Sequence, residues 1–185
     1  VFAKDNESTI SHFEFIKSTK EVVEEILDYK GVLKPEIRVS HQIKGRIPSA
    51  VGKPAKELLD HEKTLYYERM AFVIEIPEIS EMINGNQLSL SIGGVRSYNQ
   101  ENLFSKKSIE KFKVFIGFQN TVCTNLAIST DGLKEDLRVS SILELKTKIY
   151  ELINSYDKKK HLQQMNEMNN FSISETEFAH LIGKM

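Results

Sequence analysis

A single cysteine in 185 residues leaves no internal disulfide framework and fits a reducing compartment, with the cytoplasm as the expected location. No apolar run approaches the ~18 residues of a membrane-crossing helix, so no membrane partner is expected. The opening "VFAKDNESTISHFEF" places acids early and has no continuous apolar stretch, which speaks against a signal peptide. It also lacks an initiating methionine and so reads as a processed or excised chain. Excess charge is missing as well: a net charge of −1 at pH 7 argues against coating nucleic acid by bulk electrostatics. The HExxH motif and zinc-type ligand spacing are absent, and neither metal nor cofactor is expected. His61-Glu62 is an adjacent pair, and neighbours on a helix diverge by about 100°, so the two cannot share a ligand face. Gly93-Gly94 is neither a dinucleotide fingerprint nor a Walker loop, because no helix follows to offer its N-terminus to a phosphate.

What is present is ordinary for a protein with a real core: 40% hydrophobic and 28% charged residues, read as one globular domain over residues 1–185. "STKEVVEEILDYKG" predicts a helix over 19–30, with Ser18 and Glu21 at capping-box spacing and Gly31 past its end. A strand then leads from Ile37 and Val39 into a loop punctuated by Gly45, Pro48, Gly52 and Pro54. "AKELLDHEK" reads as a short helix, and "TLYYERMAFVIEIP" as one long strand with Met70, Phe72, Ile74 and Ile76 on a face, ended by Pro77. Asn84-Gly85 is a hairpin turn, followed by alternating Leu88, Leu90 and Ile92. Gly93-Gly94 marks a bulge or a close backbone approach, the bulge being favoured. "KFKVFIGF" alternates into "IGFQNTVCTNLAIST", read as a further strand that carries Cys123. Asp131-Gly132 is a turn signal. Helical stripes with capping boxes at Ser141/Glu144 and Ser174/Glu177 fill 141–182. The fold class is therefore α+β: a mainly antiparallel sheet of about five strands in the region 36–130, with an N-terminal helix and C-terminal helices packed against it. Phe72, Ile74, Leu90, Val114, Ile116 and Leu126 are the expected core.

Three groups of residues are candidates for chemistry. Cys123 lacks any histidine signature that would activate it, and it is expected to be a buried, inert thiol rather than a nucleophile. Its neighbours Asn120 and Asn125, together with Arg96 and Tyr98 after the glycine pair, are candidate polar ligand contacts. The strongest regional signal is charge. Residues 34 to 56 hold Lys34, Arg38, Lys44, Arg46, Lys53 and Lys56 against the single acid Glu36, whereas the first thirty residues lean acidic. Arg38, Lys44, Arg46, Lys53 and Lys56 on a glycine-containing loop suit phosphate contacts, with Tyr66, Tyr67 or Tyr98 as nearby stacking faces.

"IKGRIPSAVGKPAKELLDHEKTLYYERMAFVIEIPEI" and "VFIGFQNTVCTNLAISTDGL" resemble a domain-of-unknown-function family of bacterial proteins (family 3871 of that series), from about Leu33 to the C-terminus. The strand ending in "NTVCTN" is more distantly similar to the phage/plasmid-like protein family. These resemblances imply a mobile-element or prophage context and carry no activity. They also imply relatives that continue beyond "FAHLIGKM", and hence a truncated C-terminal part. The leading expectation is a non-enzymatic module binding single-stranded or double-stranded nucleic acid. A protein-interaction or anti-defence factor, with another protein as partner, is the second. A Cys123-dependent enzyme is a distant third.

Overall fold

The computed structural model describes residues 3–4, 7–8, 10–28, 31–98, 109–120, 127–128, 133–168 and 170–183. In chain order the elements are β1 (Ala3–Lys4), β2 (Glu7–Ser8), α1 (His12–Ile26), β3 (Glu36–Val39), β4 (Gln42–Arg46), β5 (Lys63–Tyr67), β6 (Arg69–Ile83) and β7 (Asn86–Ser97). After these come β8 (Glu110–Asn120), β9 (Ala127–Ile128), β10 (Leu133–Val139), α2 (Ile142–Ser155), α3 (Lys158–Met168) and α4 (Glu175–Ile182). The main sheet has the antiparallel order β10-β8-β7-β6-β3, with β9 beside the far end of β8, and β4 and β5 form a separate ribbon. The expected α+β class and antiparallel sheet are what is observed.

Alternation explains the layering. Met70, Phe72, Ile74, Ile76, Leu90, Ile92, Phe112, Val114, Ile116, Phe118, Leu137 and Val139 all point to one face of the sheet and are buried. Phe15, Val22 and Val23 of α1, with Leu145, Ile149 and Leu152 of α2, cover that face. Each such apolar side chain contributes roughly 1.5–3 kcal/mol on burial, which is why the helices lie on this face. Of the expected core, Leu126 falls outside the described residues, and the other five are buried.

Several boundaries differ from expectation, each for a local reason. The first helix starts at His12 because Ser11 and Glu14 form the capping box, with Glu14 N–H donating to Ser11 Oγ at 3.1 Å and Ser11 N–H to Glu14 Oε2 at 2.6 Å. Two Ser-x-x-Glu pairs compete for the role, and the earlier one wins because it brings Phe15 onto the buried stripe. Ser18 and Thr19 are then interior, and the Thr19 hydroxyl donates to the Phe15 carbonyl at 2.9 Å. The helix closes at Ile26, with Asp28 at φ 53°, ahead of Gly31. Gln42–Arg46 is a strand, not a loop, and "AKELLDHEK" forms two short 3-10 turns. The long strand breaks at Glu68 into β5 and β6.

Pro77 does not end β6. The register steps from Ile76↔Leu90 to Ser80↔Ser89, so the bulge takes up Pro77, Glu78 and Ile79, and Pro77 has no N–H for the ladder. Asn84 and Gly85 then turn the hairpin with φ 54° and 77°, the paired positive angles that match strand twist. The stretch 116–130 is not one strand either: β8 ends at Asn120 and β9 runs back along it. β10 extends the sheet to Val139, past the expected limit of residue 130. α2 ends at Ser155, and α3 is a separate helix. α4 has the expected Ser174/Glu177 capping box, but its described side chains are all exposed, so it does not pack on the sheet.

Gly93-Gly94 holds no bulge; both glycines stay in register with β6 and β8. They are sites of close approach. A Cβ on Gly94 would lie 2.4 Å from Phe15 Cζ, and one on Gly93 would lie 2.3 Å from the Phe72 carbonyl oxygen. Gly94→Ala is expected to cost about 1–3 kcal/mol through overpacking against Phe15. Urea unfolding checks this, and an unchanged midpoint would contradict the packing described.

Candidate functional site

The face of the sheet away from the helices gathers exposed charged side chains around a groove. Because Met70, Phe112, Leu137 and Val139 point into the core, their neighbours Arg69, Lys111, Lys113, Asp136 and Arg138 point outward and are exposed. The register gathers them: Arg69 lies opposite Ser97, Val95 opposite Lys113, Lys113 opposite Asp136, and Lys111 opposite Arg138. Together they line a groove of about 390 Å³ whose floor includes Val95, Ser97 and Phe112. Among the described residues, Arg69, Lys111, Lys113 and Arg138 form no ion pair, and Asp136 is the acid that lines the groove. The same face is closed at its other end, where Ser91 and Gln119 are buried and the Ser91 hydroxyl donates to Gln119 Oε1 at 2.9 Å.

The basic segment is only partly drawn toward this groove. Arg38 sits on β3 opposite Ala71, which in turn faces Val95, so it extends the groove's row by one strand at the sheet edge. Lys44 and Arg46 are exposed on the β4–β5 ribbon. Arg46 donates to the Lys53 carbonyl, and Lys53 pairs with the buried Glu62, so these two hold the 47–62 loop together. The Lys53 ammonium keeps the Glu62 carboxyl below its ordinary range, helped by the Leu59 N–H at 3.0 Å. Lys56 stands exposed on a 3-10 turn. Tyr67 is half-buried and accepts from Gln42 Nε2 at 3.0 Å, and Tyr66 is also half-buried.

Arg96 and Tyr98 lie inside. The Arg96 guanidinium is sandwiched 4.6 Å from the Tyr98 ring centre and 4.4 Å from that of Phe112. It pairs with the Glu110 carboxylate and donates to the Ile10 carbonyl, while the Ile10 N–H donates to both Glu110 oxygens at 3.2 and 3.1 Å. This cluster pins the start of α1 to β7 and β8. Arg96 therefore reaches the groove only with its backbone. Cys123 and Asn125 lie outside the described residues, and of Asn120 only the backbone is described, paired with Leu88 and Ala127. The sequence reading missed Arg69, Lys111, Lys113 and Arg138. The signal for two of them was the charged alternation within "KFKVF".

His12 completes the inner cluster. Its ring stacks on Tyr98 at 4.3 Å, its Nε2 donates to the Tyr67 carbonyl at 2.8 Å, and its buried Nδ1 has no partner among the described residues. A proton on Nδ1 would be a buried donor without an acceptor, beside the Arg96 charge. Burial and that charge hold the His12 pKa below 6.5 despite the Tyr67 bond. The unfolded chain takes up this proton first, so stability is complete above the unfolded value and declines as pH falls below it. Melting temperature should drop between about pH 7.5 and about pH 5.5, and His12→Gln, which keeps a donor for Tyr67, should drop less. Equal drops would refute the assignment. Glu62, Glu144 and Glu177 have depressed pKa values, held by Lys53, Ser140 and Ser174 respectively, and lose their contributions only below 4.5.

Among the described residues no cluster of three or more His, Cys, Asp or Glu side chains stands together as a metal ligand set, and no helix is long and apolar enough to cross a membrane. Fold and site define an α+β domain with helices on one sheet face and a cationic groove on the other. A family model described as "Domain of unknown function, B. Theta Gene description (DUF3871)" matches residues 1–185, and the chain belongs to that family. The match includes the N-terminal segment that precedes Leu33. Comparison with curated proteins and with solved structures finds no match.

Proposed function

We propose that the chain is a non-enzymatic nucleic-acid-binding module whose contact surface is the groove on the open sheet face. The observation that carries this reading is the convergence of Arg69, Lys111, Lys113 and Arg138 from three strands, four cations against the one lining acid Asp136 and without an ion pair among the described residues. A net charge of −1 is no obstacle, because a local cationic surface on a neutral protein attracts phosphates within a Debye length, about 8–10 Å at moderate salt. Arg38 extends the surface, and Lys44 and Lys56 supply charge on the adjoining ribbon and loop. A mobile-element setting suits such a module. Titrating labelled oligonucleotides at low salt tests it, with binding expected and its complete absence contrary.

A protein-interaction role is the second reading. It is favoured by Phe171, Ile173, Phe178 and Leu181, which are 81%, 58%, 52% and 56% exposed around α4.

A further inference from the structure

We infer that the groove takes a single strand rather than a duplex, with one base stacked on the ring of Phe115. The inference rests on the nucleic-acid reading of the same groove and names the form of its ligand. Phe115 follows Lys111 and Lys113 on the outward face of β8, two residues apart each time, so the three stand in line at about 6.8 Å intervals. Its partner across β7 is Gly93. A Cβ on Gly93 would lie 2.3 Å from Phe115 Cζ and 2.8 Å from Cε2, so the ring lies over the glycine, where a side chain would otherwise stand. The ring is half-buried, on the same outward face as the groove. Gly93 thus does two things, admitting β6 closely on one side and the aromatic ring on the other.

A π face beside a row of cations is the pairing that unstacked bases use, since every base has an aromatic face and each phosphate a charge. A duplex keeps its base faces inside its own stack and offers only phosphates and groove edges, so it engages the lysines and leaves Phe115 idle. One platform reads no sequence, and the preference is for strandedness. Lys113 and Lys111 hold the phosphates beside the stacked base, with Arg138 and Arg69 across the groove.

The test uses one mixed-sequence DNA oligonucleotide as a single strand, as its duplex, and as an abasic strand of the same length, plus adenosine monophosphate. Expected is tighter binding of the single strand than of the duplex or the abasic strand. Stacking on one aromatic is worth about ten- to hundredfold, so Phe115→Leu should weaken the normal strand by that factor and leave duplex and abasic affinities alone. Phe115→Tyr should retain wild-type affinity. The abasic comparison needs no variant, so a Phe115→Leu protein that fails to fold does not remove the test. Equal affinity for normal, abasic and duplex DNA would overturn the inference while leaving a phosphate-binding groove intact. Adenosine monophosphate binding as tightly as the strand would overturn it in favour of a mononucleotide site. No binding of any probe would overturn both readings.

Discussion

Glu110→Ala is expected to lower stability by about 3–5 kcal/mol, the cost of leaving one member of a buried ion pair without its partner. Arg96 and Glu110 have side-chain exposures of 0% and 2%, so water cannot replace what is lost. The change takes the Glu110 carboxylate away from the Arg96 guanidinium between Tyr98 and Phe112, and it also removes the acceptor for the Ile10 N–H. For a chain of this length each kcal/mol shifts the melting temperature by about 2–4 °C, so a fall of roughly 6–20 °C should be read by calorimetry. Arg96→Met with Glu110→Leu together should cost less than the two single changes added, because both members of the buried pair are then replaced by apolar groups. A Glu110→Ala protein melting within a degree or two of wild type would mean that the pair does not anchor α1.

Removing Lys111 and Lys113 together should weaken binding to every oligonucleotide, irrespective of sequence. Taking about 0.7 decade per phosphate contact at about 0.1 M salt, two contacts amount to ~25-fold, or about 1.9 kcal/mol. Both side chains are exposed and unpaired among described residues, so their loss should move stability by no more than ~0.5 kcal/mol. The matched control is Lys44→Ala with Lys56→Ala, which removes as much charge from the ribbon and its loop. Fluorescence anisotropy on the two variants should separate them clearly. Equal losses would move the binding surface from the groove to the basic segment.

The difference between those two variants shows what the sequence could reveal. Alternation is a local property, so the buried face of β6, β7 and β8 was legible from Met70 to Phe118 without any knowledge of neighbours. By the same rule Lys111 and Lys113 had to point outward. Which strand would lie beside them was not legible. Arg69 and Arg138 are 69 residues apart in sequence, and only the order β10-β8-β7-β6 brings them to one groove. A run of bases close in sequence, such as 34–56, is conspicuous to the eye but spends part of its charge internally, on Glu62 and on the Lys53 carbonyl. The same limit hid the Arg96–Glu110 pair, whose two charges read as surface residues until the start of α1 covers them. The competing Ser-x-x-Glu pairs at 11 and 18 were a local ambiguity that tertiary packing of Phe15 resolved.

The most direct test is the salt dependence of wild-type binding to a single-stranded oligonucleotide, followed by anisotropy from about 50 to about 200 mM salt. Four phosphate contacts at Arg69, Lys111, Lys113 and Arg138 predict a log–log slope near −3 and a loss of about 1.7 decades of affinity across that range. A slope indistinguishable from zero, or no binding at the lowest salt, would contradict the assignment of the groove to nucleic acid.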